Sequence, residues 1–246
     1  MNKADFIANI KAEKGLSEEL QDEITKEQLE DSINKPTRQE WLEERKKGIG
    51  GSDAAAIMGL NPYKSNIELW EEKTGKKDAI DISDKPYVKY GTYAEEYLRE
   101  LFKLDYPEYE VKHEENTIIK HPNYPFLFAS LDGTLIDRET GEMGILEIKT
   151  TNILQSMQKE KWKERIPDNY FCQVLHYLNV TGYSFVILKA QLKYDFKGEV
   201  KLDTRHYKIL RSEVEEDIKL LERKEIEFWK KYVEKDICPP RQLPNI

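Results

Sequence analysis

Cysteine is scarce in this chain of 246 residues, which contains only Cys172 and Cys238. Two cysteines are too few for a four-cysteine zinc or iron–sulfur site, and they fit a reducing compartment. No apolar run approaches the roughly 20 residues that a membrane-spanning helix needs. The first residues also lack the apolar stretch and small residues of a secretory signal, so we expect a cytoplasmic protein with no membrane partner.

Positive charge is in deficit, because 39 Lys and Arg stand against 47 Asp and Glu, a net charge of −8. This balance argues against a protein that coats nucleic acid by bulk attraction, although it allows a local basic track. Residues 1–35 hold nine acidic residues against five lysines, so any contact with nucleic acid should lie elsewhere.

Motifs of several common hydrolases are also missing. The chain has no G-x-x-x-x-G-K-[ST] phosphate cradle, no G-x-S-x-G elbow and no H-E-x-x-H pair. ATP hydrolysis and serine or zinc hydrolysis therefore have no support, and we expect no nucleotide cofactor.

The composition that is present can build a core, with 39% hydrophobic and 11% aromatic residues. The pattern predicts an acidic helical extension over residues 1–36, with helices at 3–13 and 17–33, and then a single domain over 37–246. Helical periodicity predicts further helices over 41–47, 54–58, 66–70, 91–104 and 168–180, and a long amphipathic helix over about 212–235.

Strand periodicity predicts five strands, over residues 109–119, 126–137, 144–150, 183–193 and 199–208. A polar turn at 137–142 joins the second and third of them as a hairpin. Because helices precede, interrupt and follow the strands, we expect an α/β fold with a mixed central sheet flanked by helices.

The sharpest motif is Ser130-Leu131-Asp132-Gly133, followed after the hairpin turn by Leu146-Glu147-Ile148-Lys149. Side chains alternate along a strand, so Glu147 and Lys149 project from one face. A bend at Asp132 would bring its carboxylate to Glu147, and this pair suits Mg²⁺, with Lys149 near a water or a phosphate oxygen. An isolated match of this kind is more often a solvated edge strand, but the apolar residues preceding each acid favour a buried hydrolytic site.

Glu95 is a further carboxylate that could reach such a site. It borders a predicted buried stripe of Ala94, Leu98, Leu101 and Phe102. A metal contact and an ordinary solvated position have equal weight for this residue, whereas Glu96 and Glu100 look more exposed.

Three polar residues could contact a phosphate. Arg45 and Ser52 flank a glycine-rich helix start, where a guanidinium and a hydroxyl can hold a terminal phosphate. In the competing interpretation, Arg45 is an ordinary residue on a helix surface and Ser52 or Asp53 is the N-cap of the next helix. Gln173 lies in an apolar helix and either binds a phosphate or makes buried hydrogen bonds, while the nearby His176 is expected to be structural.

An ordered set of short motifs spans about residues 37–195: Trp41 to Arg45, Ile49-Gly50-Gly51-Ser52-Asp53, Asn61-Pro62-Tyr63, Leu69-Trp70, Lys73-Thr74-Gly75, Gly91 with Glu95, the Asp132 and Glu147 motifs, and Gln173-Val174. Together these motifs resemble the YqaJ-like viral recombinase family, which is related to phage lambda exonuclease. The set is specific as a whole, although its members are weak singly. Leu131 departs from the family pattern, which has proline before the first acid.

The resemblance implies a PD-(D/E)XK nuclease domain with a restriction-endonuclease-like fold. It implies a Mg²⁺ cofactor, for which we expect Mn²⁺ to substitute, and 5′-to-3′ digestion of one strand of linear double-stranded DNA. The 3′ overhang would serve a single-strand annealing protein in phage-type homologous recombination. A homotrimeric ring and a phage or prophage gene in a bacterial host are implied as well.

The resemblance also implies roles for particular residues. The metal ligands would be Asp132, Glu147, Ile148 through its carbonyl, and Glu95. Lys149 would act on the nucleophilic water, so the catalytic set is Lys149, Glu147, Asp132 and Glu95. The residues implied to bind DNA are Arg45 and Ser52 at the 5′ phosphate, and Ser130 and Gln173 at the substrate or in support of the site.

Two alternatives to the exonuclease stay open. An endonuclease or nickase of the same fold would cut without a free end, which Arg45 argues against. A non-catalytic DNA-binding recombination module would have no use for acids near DNA, so the complete set of Asp132, Glu147 and Lys149 speaks against it.

Overall fold

A computed structural model describes residues 36–154 and 156–242. The first part of the chain forms helix α1 (Arg38–Lys46), strand β1 (Ile49–Gly50), and helices α2 (Gly51–Ile57), α3 (Asn66–Lys73) and α4 (Pro86–Asp105). The middle forms strands β2 (Tyr109–Lys112), β3 (Ile119–Lys120), β4 (Leu127–Ala129), β5 (Gly133–Asp137) and β6 (Met143–Ile153), and helices α5 (Ser156–Glu160) and α6 (Asp168–Thr181). The last part forms strands β7 (Phe185–Phe196) and β8 (Glu199–Leu210), a 3₁₀ turn (Arg211–Glu213), helix α7 (Glu215–Glu227) and a π-helical segment (Phe228–Val233).

The strands form two sheets. The larger sheet has the order β2-β5-β6-β7-β8, in which β6 and β7 are parallel and the other neighbours are antiparallel. The smaller sheet has the order β1-β4-β3, with β1 parallel to β4. The predicted mixed α/β architecture is therefore confirmed.

Strand β6 lies between two helices because alternate side chains enter two separate cores. Ile145 joins the cluster that contains Leu175 and Leu178 of α6. Leu146 joins the other cluster, which contains Leu98 and Phe102 of α4. Apolar residues thus cover both faces of β6 and hold this strand at the centre of the molecule.

Two predicted strands are each split between the sheets. The run 109–119 forms β2 in the larger sheet and β3 in the smaller one, and the run 126–137 divides in the same way into β4 and β5. The prediction of five strands was therefore wrong. Periodicity reports which face a residue occupies, whereas the partner of each strand is chosen by tertiary packing.

Several helix boundaries also differ from the prediction. Helix α2 begins at Gly51, and Asp53 is its third residue rather than its N-cap, with a carboxylate that accepts a hydrogen bond from the Gly50 N–H at 3.1 Å. Helix α4 begins at Pro86 rather than near Gly91. Leu101 is 50% exposed, so it does not belong to the buried stripe.

The long helix predicted over 212–235 is α7 followed by the π-helical segment. The helices predicted at 3–13 and 17–33 lie outside the described residues. Within those residues, no helix has the length and apolar character needed to cross a bilayer.

Candidate active site

The larger sheet opens at the point where β5 stops pairing with β6. The register pairs Gly133 with Leu146, so β6 continues from Glu147 without β5 at that edge. Asp132, in the bend between β4 and β5, fills this position: its Oδ2 accepts a hydrogen bond from the Ile148 N–H at 2.7 Å. The bend on which the predicted meeting of Asp132 and Glu147 depended is present.

Glu147 is buried and bonded on one side only. The ammonium of Lys149 lies 2.5 Å from Glu147 Oε1, so the two side chains share a face as predicted. The Gln173 amide donates to the same oxygen at 2.8 Å. Glu147 is 1% exposed, yet its Oε2 is buried with no hydrogen-bond partner among the residues that the structure describes.

The carboxylates of this site have raised pKa values, partly because of one another's charge. Burial and the charge of Asp132 raise the pKa of Glu147 to about 8. The same two causes raise the pKa of Glu95 to about 7, and burial raises the pKa of Asp132. Burial alone would lower the pKa of Lys149, but the charges of Glu147 and Asp132 outweigh it, so the pKa of this lysine is raised.

Glu95 reaches the site from α4 but stands at its edge. Its carboxylate pairs with Arg99 at 3.2 Å, and Arg99 also donates to the Asp132 backbone carbonyl at 2.7 Å. Across residues 36–154 and 156–242, no three His, Cys, Asp or Glu side chains lie close enough to hold a metal ion together. In this arrangement Glu95 acts on Asp132 and Glu147 through its charge.

The oxygen atoms at the point where β5 stops pairing with β6 nevertheless suit a hard divalent cation. The N–H and the carbonyl of one residue point to the same edge of a strand, so the Ile148 carbonyl points to the edge where its N–H meets Asp132. Oxygen atoms of Asp132, Ile148 and Glu147, whose Oε2 lacks a partner, are the kind of ligand that Mg²⁺ prefers.

The predicted phosphate-binding residues meet around Trp41. Arg45 donates to the Ser52 hydroxyl at 3.2 Å, and its guanidinium lies 4.3 Å from the centre of the Trp41 ring. The Trp41 indole N–H donates to the Ser130 hydroxyl at 3.2 Å. Thr37 caps α1, the helix that carries Trp41 and Arg45.

Helix α6 connects these residues to the carboxylates. A Cβ atom at Gly51 would lie 2.5 Å from the Tyr177 ring and 3.0 Å from Gln173 Cγ, so glycine allows α2 to touch α6. Since Gln173 also bonds to Glu147, one side chain contacts both the helix that bears Ser52 and the buried carboxylate.

The structure adds residues that the motif analysis did not single out for a role. Arg99 and Tyr177 stand four positions after Glu95 and Gln173, and each contacts that residue, so helical spacing could have indicated them. Lys73 forms a buried ion pair with Asp53 at 2.8 Å and has no comparable local signal. His176, between Glu225 and the Phe128 carbonyl, is in keeping with the expected structural role.

Comparison with known proteins gives one family and one fold. The model of the YqaJ-like viral recombinase domain matches residues 40–184. The protein YqaJ of Bacillus subtilis (strain 168), which is uncharacterized, is 36% identical over 197 residues, covering 78% of this chain and 56% of that protein. The chain thus spans little more than half the length of this relative.

Two solved exonucleases have a similar fold. An alkaline exonuclease from Laribacter hongkongensis is 19% identical, with a TM-score of 0.54 and coverage of 80% of this chain and 97% of its own. That enzyme has also been solved in complex with dAMP. A phage-related exonuclease from Haemophilus somnus 129PT is 14% identical, with a TM-score of 0.54 and coverage of 77% and 96%. The predicted restriction-endonuclease-like fold is confirmed.

Proposed function

This chain belongs to the YqaJ-like viral recombinase family, and we propose that it is a Mg²⁺-dependent 5′-to-3′ exonuclease that digests one strand of linear double-stranded DNA and leaves a 3′ overhang. The observation that carries the proposal is the contact of Gln173 with both Glu147 and Gly51. It joins a buried carboxylate, suited to phosphodiester hydrolysis, to the arginine and hydroxyl pair of Arg45 and Ser52, suited to a terminal phosphate.

Asp132, Glu147 and the Ile148 carbonyl would hold the Mg²⁺ ion. When bound, the ion neutralises charge on the scissile phosphate and lowers the pKa of a coordinated water. Lys149 keeps its proton, because the neighbouring carboxylates raise its pKa. Lys149 therefore acts as a hydrogen-bond donor that orients the attacking water and stabilises the developing negative charge, rather than as a base.

Arg45 and Ser52 would bind the 5′ phosphate, with Ser130 and Gln173 beside them. A guanidinium offers forked donors that fit phosphate oxygens. Holding the 5′ end here presents the adjacent phosphodiester bond to Asp132 and Glu147, which gives the direction of digestion. Contacts to phosphates rather than to base edges make digestion independent of sequence.

The proposal extends to product and partners. The complex of the Laribacter alkaline exonuclease with dAMP supports a mononucleotide product. A homotrimeric ring and a single-strand annealing protein that receives the overhang accord with membership in a recombinase family. A ring with cations on its inner surface would let a chain with a net charge of −8 retain DNA.

A time course with Mg²⁺ on linear duplex DNA, labelled separately at its 5′ and 3′ ends, tests the proposal. Covalently closed circles and EDTA serve as controls. We expect rapid release of the 5′ label as mononucleotide, intact circles and no reaction in EDTA. Nicked circles would instead establish an endonuclease, and the absence of metal-dependent cleavage would establish a binding module.

A further inference from the structure

Trp41 carries an arginine on each side along one face of α1. The Arg38 guanidinium lies 4.0 Å and the Arg45 guanidinium 4.3 Å from the centre of the indole ring. Arg38 stands one turn before Trp41 and Arg45 one turn after it, so the two cations approach the ring from opposite sides. The bond from Trp41 to Ser130 fixes the ring between them.

Neither arginine forms an ion pair at contact distance within the described residues, and the carboxylates of Glu95 and Asp53 reach Arg38 and Arg45 only from longer range. At contact distance, Arg38 meets the Trp41 ring, and Arg45 meets that ring and the Ser52 hydroxyl. The lysines of the same helix differ, because Lys46 lies 2.7 Å from Glu43 and Lys47 lies 2.9 Å from Glu44. In a chain with 47 acidic residues, two neighbouring arginines that make no direct ion pair point to an anionic ligand.

Arg38 lies near the bend that carries Asp132, because it stacks on Trp41, whose indole N–H donates to Ser130 two residues before that acid. Burial and the charge of Arg45 lower the pKa of Arg38, while the charge of Glu95 opposes them. Arg38 is therefore within electrostatic range of both Arg45 and Glu95. A phosphate held by Arg38 would therefore lie near both Arg45 and the bend that carries Asp132.

We propose that Arg38 and Arg45, stacked on Trp41, form a two-phosphate clamp for one DNA strand. Arg45 and Ser52 take the terminal 5′ phosphate, and Arg38 takes the next phosphate, the one that is cleaved. Each guanidinium lies against the indole and keeps N–H donors for phosphate oxygens. The clamp rests on the proposed nuclease function and adds Arg38 to the residues that would bind DNA.

The clamp gives the two arginines different kinetic signatures. Arg45 contacts a group that a 5′-hydroxyl end lacks, so its contribution should depend on the end. Arg38 contacts a phosphate that every strand has, so its contribution should be the same on both ends.

The test compares wild-type protein with Arg38→Ala, Arg38→Lys, Arg45→Ala and the matched control Lys46→Ala. Each digests linear duplexes that differ only in a 5′-phosphate or a 5′-hydroxyl, and kcat and KM are measured separately. We expect Arg45→Ala to lower kcat/KM on phosphorylated ends about 10-fold or more, with little change on hydroxyl ends. Arg38→Ala should lower it about 10-fold or more on both ends, with partial recovery in Arg38→Lys and no loss in Lys46→Ala.

Two outcomes overturn the clamp while leaving the nuclease intact: wild-type rates in Arg38→Ala, or a loss confined to phosphorylated ends. Fluorescence anisotropy of labelled duplex ends in EDTA separates the clamp from the chemistry. If wild-type protein binds ends in EDTA and still does not cleave them when Mg²⁺ is supplied, the nuclease proposal fails, and weaker binding of both ends by Arg38→Ala then supports the clamp. Equal binding by Arg38→Ala and wild-type protein overturns the clamp in that case too.

Discussion

Glu147 combines a cost in folding stability with a position suited to the proposed chemistry. Its Oε1 is held by Lys149 and Gln173, while its buried Oε2 has no partner in the described structure. Leaving a buried polar atom unsatisfied costs about 1–3 kcal/mol. Burial and the charge of Asp132 also disfavour the ionised form of Glu147, which raises its pKa to about 8. A divalent cation at this point would relieve both.

Mg²⁺ should therefore stabilise the folded protein. A ligand that binds only the native state raises the melting temperature as its concentration exceeds its Kd. We expect Mg²⁺ to raise the melting temperature of wild-type protein, and Asp132→Asn and Glu147→Gln to lose that shift together with cleavage. Differential scanning fluorimetry with and without Mg²⁺ provides the measurement.

The control for this prediction is Glu96→Gln, which changes an exposed acid beside Glu95 on the same helix. It should keep both the Mg²⁺ shift and cleavage. An undiminished shift in Glu147→Gln would remove this residue from the metal site.

For single residues, the sequence predicts contacts that depend only on the local geometry of one strand or one bend. Strand alternation is enough to place Glu147 beside Lys149, and a turn residue before a strand is enough to suggest Asp132. The contact of Trp41 with Ser130 joins residues 89 positions apart, so no local pattern could indicate it. The contact of Arg38 with Trp41 follows helical spacing and could have been indicated, whereas its place beside Ser130 depends on how α1 packs.

Among the elements, α6 organises the site. It brings Gln173 to Glu147 and packs Tyr177 against Gly51 of α2. On its other side, His176 meets Glu225 of α7 at 2.7 Å and the Phe128 carbonyl of β4 at 2.8 Å. One helix thus connects the strand that leads to Asp132 with the strand that carries Glu147.

The contacts of His176 indicate its charge. Both ring nitrogens face oxygen atoms, and a backbone carbonyl and an ionised carboxylate only accept hydrogen bonds. With Glu225 as a carboxylate, both nitrogens carry protons and His176 is an imidazolium paired with it. Although burial opposes this charge, Glu225 raises the pKa of His176 above its ordinary value.

This ion pair predicts a pH dependence of stability. A histidine whose pKa is raised by folding contributes its full stabilisation below its unfolded pKa of about 6.5 and loses it as pH rises through the folded value. The free energy of unfolding, measured in urea from pH 6 to pH 9, should therefore fall as pH rises.

Glu225→Gln isolates this contribution. It should lower the free energy of unfolding by about 3 kcal/mol at pH 6, because it leaves a buried charge without its partner, and it should flatten the decline with pH. Glu216→Gln, an exposed change on the same helix, should leave the pH profile unchanged. Parallel profiles for Glu225→Gln and wild-type protein would contradict the assigned ion pair.

The contact between α2 and α6 can be tested at Gly51. Alanine is the better helix former, so intrinsic propensity alone predicts a more stable protein. The close approach of Tyr177 and Gln173 predicts the opposite, a loss of about 1–3 kcal/mol in Gly51→Ala. Urea unfolding gives the sign of the change in the free energy of unfolding. A stabilised variant would show that α2 and α6 can move apart at no cost.

The sequence predicts elements better than it predicts their partners. Periodicity identified α4, α6, β6 and β7, which bury apolar residues in the two cores, and α1, which buries none. It failed at 109–119 and 126–137, where an unbroken alternation passes from one sheet into the other. The second of these crossings creates the bend at Asp132, so the site lies where the strand pattern was misleading.

For the whole molecule, a net charge of −8 requires that any attraction for DNA be local. Residues 159–165 provide one such place, because they hold four cationic and two acidic residues. The segment is anchored by the buried Trp162, which lies 5.4 Å from the ring of Tyr170. Lys149 approaches that same ring at 5.4 Å, so the segment borders the active site.

Salt dependence measures whether this segment contacts the duplex. Each phosphate that a protein neutralises adds about −0.9 to the slope of log K against log salt for B-DNA. A triple variant of Lys161, Lys163 and Arg165 to alanine should therefore reduce the magnitude of the slope by about 2 to 3 and weaken binding equally for all sequences. Phosphorylated and hydroxyl ends should be affected alike, because the segment would hold the duplex and not its terminus.

A matched triple variant changes Lys201, Lys219 and Lys224 to alanine, which removes the same charge from exposed lysines paired with acids. If net charge governed binding, both variants would weaken it equally. If the position of the charge governs binding, only the segment next to Lys149 and Tyr170 changes the slope. The proposed action on DNA requires the second result, because the overall negative field of the chain would repel a DNA substrate from the candidate active site.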